Sequence, residues 1–339
     1  MEKERLSWLD VLKGIGIILV VMGHIYSNSI IFNWLYSFHM PLFFFAAGCV
    51  YKNRSVYIDI KRRIQTIVVP YFSFGFINLI YWYFIEKRFR NSSMGLRENI
   101  FGLLFGQYDY LDFNVHLWFL PCFFTTVVLF NFLYNKLGEK ITYIIVILMS
   151  ILYIFIPIPK LFWGIDLSFK YMAFYAVGVS SQKILKKINV NNRNNKASQS
   201  IIAIILLIIN FCLSYWGLTT GIMWFITAQI GVIGVTISSL IINKNKLLEY
   251  LGKISLIILC MHGPIYRIVI KITSVILNIN SDIIRTNLFY AVFIGKRSNP
   301  CTYKSPEKFD ITIIIQLHKL YYFNKLYNSY NYHKFFRRL

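Results

Sequence analysis

Apolar residues recur in long blocks along nearly the whole chain, separated by short polar and basic segments. A helix needs about 17–25 predominantly apolar residues to cross a hydrocarbon core of about 30 Å. Nine such spans are readable, at 9–29, 34–51, 64–86, 115–135, 141–157, 165–185, 200–216, 222–242 and 254–277. A tenth starts near Asn287 and stops at Gly295, too short to cross. The pattern predicts an all-α, polytopic integral membrane protein of nine to ten transmembrane helices, the last incomplete. The Asn-rich segment Asn189–Ser200 reads as a flexible cytoplasmic linker between a front block of six spans and a rear block of three or four. No internal repeat is evident.

Composition sharpens this picture. Of 339 residues, 57% are hydrophobic and 15% charged, and aromatic residues cluster near the ends of the apolar runs, as interfacial belts require. The net charge of +22 invites a nucleic-acid reading, but the basic residues sit in short loops and form no continuous patch. The bilayer is therefore an expected partner, and nucleic acid is not. With the amino end inside, the inner loops hold 15 Lys and Arg and the outer loops 6, namely Lys87, Arg88, Arg90, Arg97, Lys160 and, at the start of the sixth span, Lys170. The expected location is a cell membrane, multi-pass, amino end cytoplasmic. Five cysteines are scattered without a CxxC pair, which supports neither a disulfide framework nor a metal site. No small-residue cleavage site follows the first run, so a cleaved signal peptide is not expected. From Lys296 the composition shifts to nine Lys and Arg against two acids with no spanning run. The expected division is a transmembrane domain at 1–295 and a basic tail at 296–339, aberrant or poorly ordered. Loss of the reading frame near Gly295 is one explanation, and a genuine basic tail is the other.

Titratable side chains are costly in a bilayer and default to a functional reading. On a helix turning 100° per residue, Lys13 and His24 return to within about 20° of each other, with Asp10 about 40° away from His24. Lys13 and His24 lie roughly 16 Å apart along the axis. Gly14 and Gly16 flank this line and leave space for a helix or ligand. His39 and His116 open the second and fourth spans from the outer side, and His262 lies near the middle of the ninth. The titratable residues thus mark a path across the membrane. Tyr108 and Asp109 end the longest outer loop, 87–114, where aromatics and carboxylates suit either a sugar or a headgroup surface.

The order Asp10-x-x-Lys13-Gly14, Gly23-His24, Phe38-His39-Met40-Pro41-Leu42-Phe43-Phe44-Phe45-x-x-Gly48, Arg63 before Pro70-Tyr71, His116-Leu117-Trp118-Phe119-Leu120 and Gly252-Lys253-x-Ser255-Leu256 before His262 resembles acyltransferase family 3. The resemblance covers most of the chain to about residue 270. It implies about ten spans and transfer of an acyl group from cytoplasmic acyl-CoA to an extracytoplasmic glycan. Acetyl-CoA as co-substrate, a cell-envelope saccharide or lipid-linked glycan as acceptor, and no bound cofactor or metal are the corresponding expectations. The resemblance further implies that His24 is catalytic and Lys13 its basic partner on the donor side. Lys stands at position 13 where many members carry Arg, which keeps the charge and loses the bidentate fork for phosphate.

A neutral imidazole, with an ordinary pKa near 6.5, suits removal of a proton from an attacking hydroxyl. The structural alternative for His24 is an interhelical hydrogen-bonder. Lys13 binds donor phosphate or snorkels to the inner headgroups, and Asp10 orients it at i, i+3. Lys61, Arg62 and Arg63 bind donor phosphate or anchor the inner loop. His39, His116 and Trp118 contact the acceptor or hold the outer interface. Pro264 kinks the ninth span beside His262 and could bare polar backbone to the substrate path. A transporter or flippase with a histidine proton relay is the rival class, although inverted repeats and paired broken helices are not evident.

Overall fold

A computed structural model describes residues 6–25, 29–90, 92, 94–191, 196–278 and 280–286. Among these residues the regular structure is entirely helical. The helices are α1 (Ser7–Ile25), α2 (Ser29–Gly48), α3 (Val56–Arg63), α4 (Val69–Phe84), α5 (Leu96–Phe105), α6 (Phe119–Phe155), α7 (Ile165–Ser180), α8 (Gln182–Asn191), α9 (Lys196–Tyr215), α10 (Gly221–Ile242), α11 (Lys246–Lys253), α12 (Ser255–Leu277) and α13 (Ser281–Thr286). Seven helical stretches in the described residues are long and apolar enough to cross a membrane. Each of the nine expected runs falls on a helix. Two of them share α6, where Gly138 adopts φ 77°, ψ 174°, a conformation that favours glycine and turns the chain between them. The sixth run is α7, only 16 residues long. The expected tenth run and the basic tail lie outside the described residues.

The exposed faces are apolar. Ile77, Ile80 and Phe84 on α4, Ile144, Ile147 and Ile151 on α6, and Ile201, Ile204 and Ile208 on α9 all face outward. Such surface is stable in lipid, where every backbone polar group is satisfied inside its own helix. Small residues set the interior spacing. A Cβ at Gly14 would collide with the Leu248 carbonyl of α11, and one at Gly252 with the Asp10 carbonyl of α1. A helix, then, fills the space left at Gly14, while Leu42 and Phe43 side chains fill that at Gly16. Gly48 and Gly178 bring α2 and α7 together in the same way. The α3–α4 rod runs through a π turn at Ile64–Val68, just before Pro70. Proline cannot donate to the preceding turn and its ring crowds the i−4 carbonyl, so a wider turn relieves both.

Three expectations are corrected. Within Asn189–Ser200 the described residues are helical, not linker: α8 runs to Asn191 and α9 starts at Lys196, and 192–195 lie outside the described residues. Ile184, Leu185 and Ile188 recur at helical spacing, and Leu185 is buried. Lys170, counted in an outer loop, lies inside α7 with its ammonium 3.7 Å from the Trp224 ring centre. Pro264 does not bare the α12 backbone to a substrate path. Without the proline N–H, the Cys260 carbonyl accepts instead from Asn78 Nδ2 at 2.9 Å and Asn114 Nδ2 at 2.8 Å.

Candidate active site

Four imidazoles from four elements meet inside the helical bundle. His24 stands in the last turn of α1, and its Nδ1 lies 2.5 Å from Tyr36 Oη on α2. His116 belongs to a 3₁₀ turn, Val115–Trp118, at the start of α6, with its ring centre 3.9 Å from that of His24. His262 on α12 lies 4.3 Å from His116 and 5.2 Å from His24. His39 is 6.3 Å from His24 and stands edge-on to Tyr36 at 4.7 Å. His39 Nδ1 meets the Leu35 carbonyl at 2.5 Å, and His262 Nδ1 meets the Leu259 carbonyl at 2.8 Å. A carbonyl only accepts, so Nδ1–H donates in both rings and Nε2 carries the lone pair.

The local sequence explains the convergence. The carbonyl freed by Pro264 binds Asn114, two residues before His116, and so fastens that turn to α12. Gly263 lets the two elements close up: a Cβ there would stand 2.8 Å from His116 Cδ2 and 2.9 Å from Asn114 Oδ1. Asn78 adds α4 to the same carbonyl.

The cluster lies along α12 between two cavities. One, of about 240 Å³, is lined by Leu9, Lys13, Phe43, Phe119, Leu256 and Leu259 among others. Lys13 ion-pairs there with buried Asp10 at 2.7 Å, as the i, i+3 spacing predicts. The other, of about 840 Å³, is lined by Tyr81, Glu86, Arg90, Tyr108, Asp109, Tyr266 and Arg267 among others. From Leu259 to Tyr266 the α12 axis rises about 10 Å, and His262 falls between them. Tyr266 stands 6.3 Å from His116 and 6.4 Å from His262, between ring centres.

The acyltransferase family 3 model, described as an acyltransferase domain, matches residues 6–295. The chain belongs to this family. It is a membrane acyltransferase. No curated protein and no solved structure matches it.

The remaining residues expected at the site of this acyltransferase are dispersed. Lys61 and Arg62 are exposed on α3, Arg63 pairs with Asp59 at 3.4 Å, and none of the three lines the Lys13 cavity. Trp118 packs near Tyr171 and shares a cleft of about 20 Å³ with Tyr108 and Asp109. Asp109 is ion-paired with Lys160, whose ammonium sits 4.4 Å from the Tyr108 ring centre. Burial opposes the Lys160 charge, but its hydrogen bonds to Asp109 and Tyr108 outweigh it and raise its pKa. Burial also pushes the Tyr108 hydroxyl upward.

Sequence reasoning missed Tyr36, Asn114 and the Glu86–Arg267 pair. Buried Glu86 binds Arg267 at 2.9 Å and Arg90 at 2.8 Å, and Arg90 also binds Asp112. Arg267 carried a readable signal, since an arginine inside the ninth apolar run is costly without a partner. Tyr36 and Asn114 carried none, being ordinary residues near span ends.

Proposed function

We propose that this family 3 acyltransferase moves an acyl group, acetyl in the first instance, from cytoplasmic acyl-CoA to a hydroxyl of a cell-envelope saccharide or lipid-linked glycan. The observation that carries the reading is the position of His24, in an imidazole cluster between the Lys13 cavity and the larger cavity near Tyr266. The acceptor hydroxyl oxygen attacks the thioester carbonyl while His24 Nε2 takes its proton. The C–S bond then breaks, and the leaving thiolate recovers that proton from the imidazolium. For this role His24 Nδ1–H donates to Tyr36 Oη, which fixes the ring and leaves Nε2 as the base. A site closed to bulk water protects the thioester from hydrolysis. Lys13, oriented by Asp10, meets the donor's phosphates at the smaller cavity, and exposed Lys61 and Arg62 add positive charge on the same side of the membrane.

The amino end is cytoplasmic in this reading, and the protein sits in a cell membrane. With Lys170 reassigned to α7, the outer loops keep five Lys and Arg against 15 inside. Membranes carrying the chain, supplied with labelled acetyl-CoA, test the reaction. His24→Ala is expected to reduce label on glycan by about 10²–10⁴-fold while the protein stays in the membrane. Undiminished labelling would overturn the role of His24. A transporter would leave no label on glycan even with the unaltered chain.

A further inference from the structure

We propose that His24, His116 and His262 form a binding site for a borderline divalent cation of the zinc type. One ring nitrogen from each of the three lies within 4.8 Å of the other two. A tetrahedral ion with Zn–N bonds of about 2.0–2.1 Å holds its nitrogens roughly 3.4 Å apart, so the widest pair has about 1.4 Å to close. Small side-chain rotations cover that distance. Three neutral imidazoles with one open position match the donor set of a zinc site that keeps a water.

Three further observations point to a ligand. Nε2 of His116 and Nε2 of His262 are both buried without a hydrogen-bond partner, a costly state for polar nitrogens. His262 Nδ1–H is anchored on the Leu259 and Ile258 carbonyls, and His24 Nδ1 on Tyr36 Oη. Metal-bound imidazoles are oriented by the same kind of support on the opposite ring nitrogen. Asn114 Oδ1 is buried and unpartnered against the backbone of Gly263, next to the His116 ring, so it can accept from a metal-bound water. The nearby carboxylate, Glu86, is engaged by Arg90 and Arg267 and so neutralises the guanidinium nearest the cluster. The set therefore favours a nitrogen-seeking ion over magnesium or calcium. Its consequence for catalysis rests on the reading of His24 as base: an ion on Nε2 occupies the lone pair that takes the proton, so the cation inhibits transfer.

The test uses the full chain in phosphatidylcholine nanodiscs, with His318→Gln and His333→Gln introduced so that tail imidazoles supply no site. Calorimetric titration with Zn²⁺ is expected to give about one ion per chain. Co²⁺ is expected to give the visible absorption of a tetrahedral complex. His116→Gln and His262→Gln should each abolish that absorption and weaken binding at least tenfold. Tyr36→Phe, which keeps the ring in place, should weaken binding about tenfold through lost orientation of His24. Absence of saturable binding, or binding that all three variants retain, overturns the site. Acetyl transfer that proceeds at saturating Zn²⁺ overturns the inhibition. Stoichiometric binding without any label on glycan leaves the metal site standing and counts against the transfer reading alone.

Discussion

On the reading of His24 as base, Tyr36 sets the orientation of its ring, because the Tyr36 hydroxyl is the partner of Nδ1. Tyr36→Phe is expected to lower the rate of acetyl transfer about 10- to 100-fold while the apparent KM for acetyl-CoA stays unchanged, as steady-state labelling would show. The ring survives that substitution, so its packing on Phe32, at 3.9 Å between centres, should persist. The clamp of Lys160 on Asp109 has a defined pH sense. Its folded pKa is raised above the ordinary 10.5, so its contribution is complete below that value and is lost as pH rises through the folded pKa. Lys160→Met should therefore have the same slight effect on thermal stability at pH 6 and pH 8, since Lys160 is charged at both. Because the pair is substantially exposed, the loss should stay below about 1 kcal/mol.

Among the elements, α12 does the most to assemble the site. Its proline frees one carbonyl, and two asparagines from elsewhere in the chain take it up. Asn78→Leu removes one of these donors from a buried position and is expected to cost about 1–3 kcal/mol, read as a lower Tm in detergent. Glu86, in the turn after α4, meets α12 farther along, at Arg267. Glu86→Gln leaves Arg267 without its counter-charge and should cost about 3–5 kcal/mol, whereas Lys271→Gln, at an exposed position, should be nearly neutral. The α1–α11 contact is backbone against backbone at Gly14 and Gly252. Any side chain at either position must separate the two helices, and with them the Lys13 end of α1.

At the scale of the molecule, the imidazole cluster lies along α12 between the two cavities, which the proposed reading assigns to the two substrates. In the proposed reading, orientation decides which cavity serves which substrate. In a chain stripped of its native cysteines, a probe at Asn53 should react with an impermeant maleimide only after cells are opened. A probe at Thr219 should react in intact cells, and the reverse pattern would invert the assignment of donor and acceptor sides. The nine apolar runs were legible because lipid demands long unbroken hydrophobic helices, a requirement written locally in the chain. Lys13, Asp10 and His24 shared a legible face for the same reason, since helical periodicity is local. The helical character of the two described ends of Asn189–Ser200 was obscured by polar composition, although apolar spacing just before the segment held the clue.

By itself the sequence determined the all-helical membrane architecture, the family, and the alignment of Lys13 with His24, since each depends on residues close together in one segment. Only the tertiary structure decided that His116 and His262 reach His24, that Tyr36 holds its ring, and that Lys61, Arg62 and Arg63 do not line the Lys13 cavity. Those relations join residues as much as 238 positions apart, from His24 to His262, and arise from glycine contacts and a proline-freed carbonyl. The hydrophobic pattern fixes which segments enter the bilayer, but lipid is as apolar as the side chains it meets. Which helix faces which is therefore set by close packing and buried hydrogen bonds, and these form only in the assembled bundle.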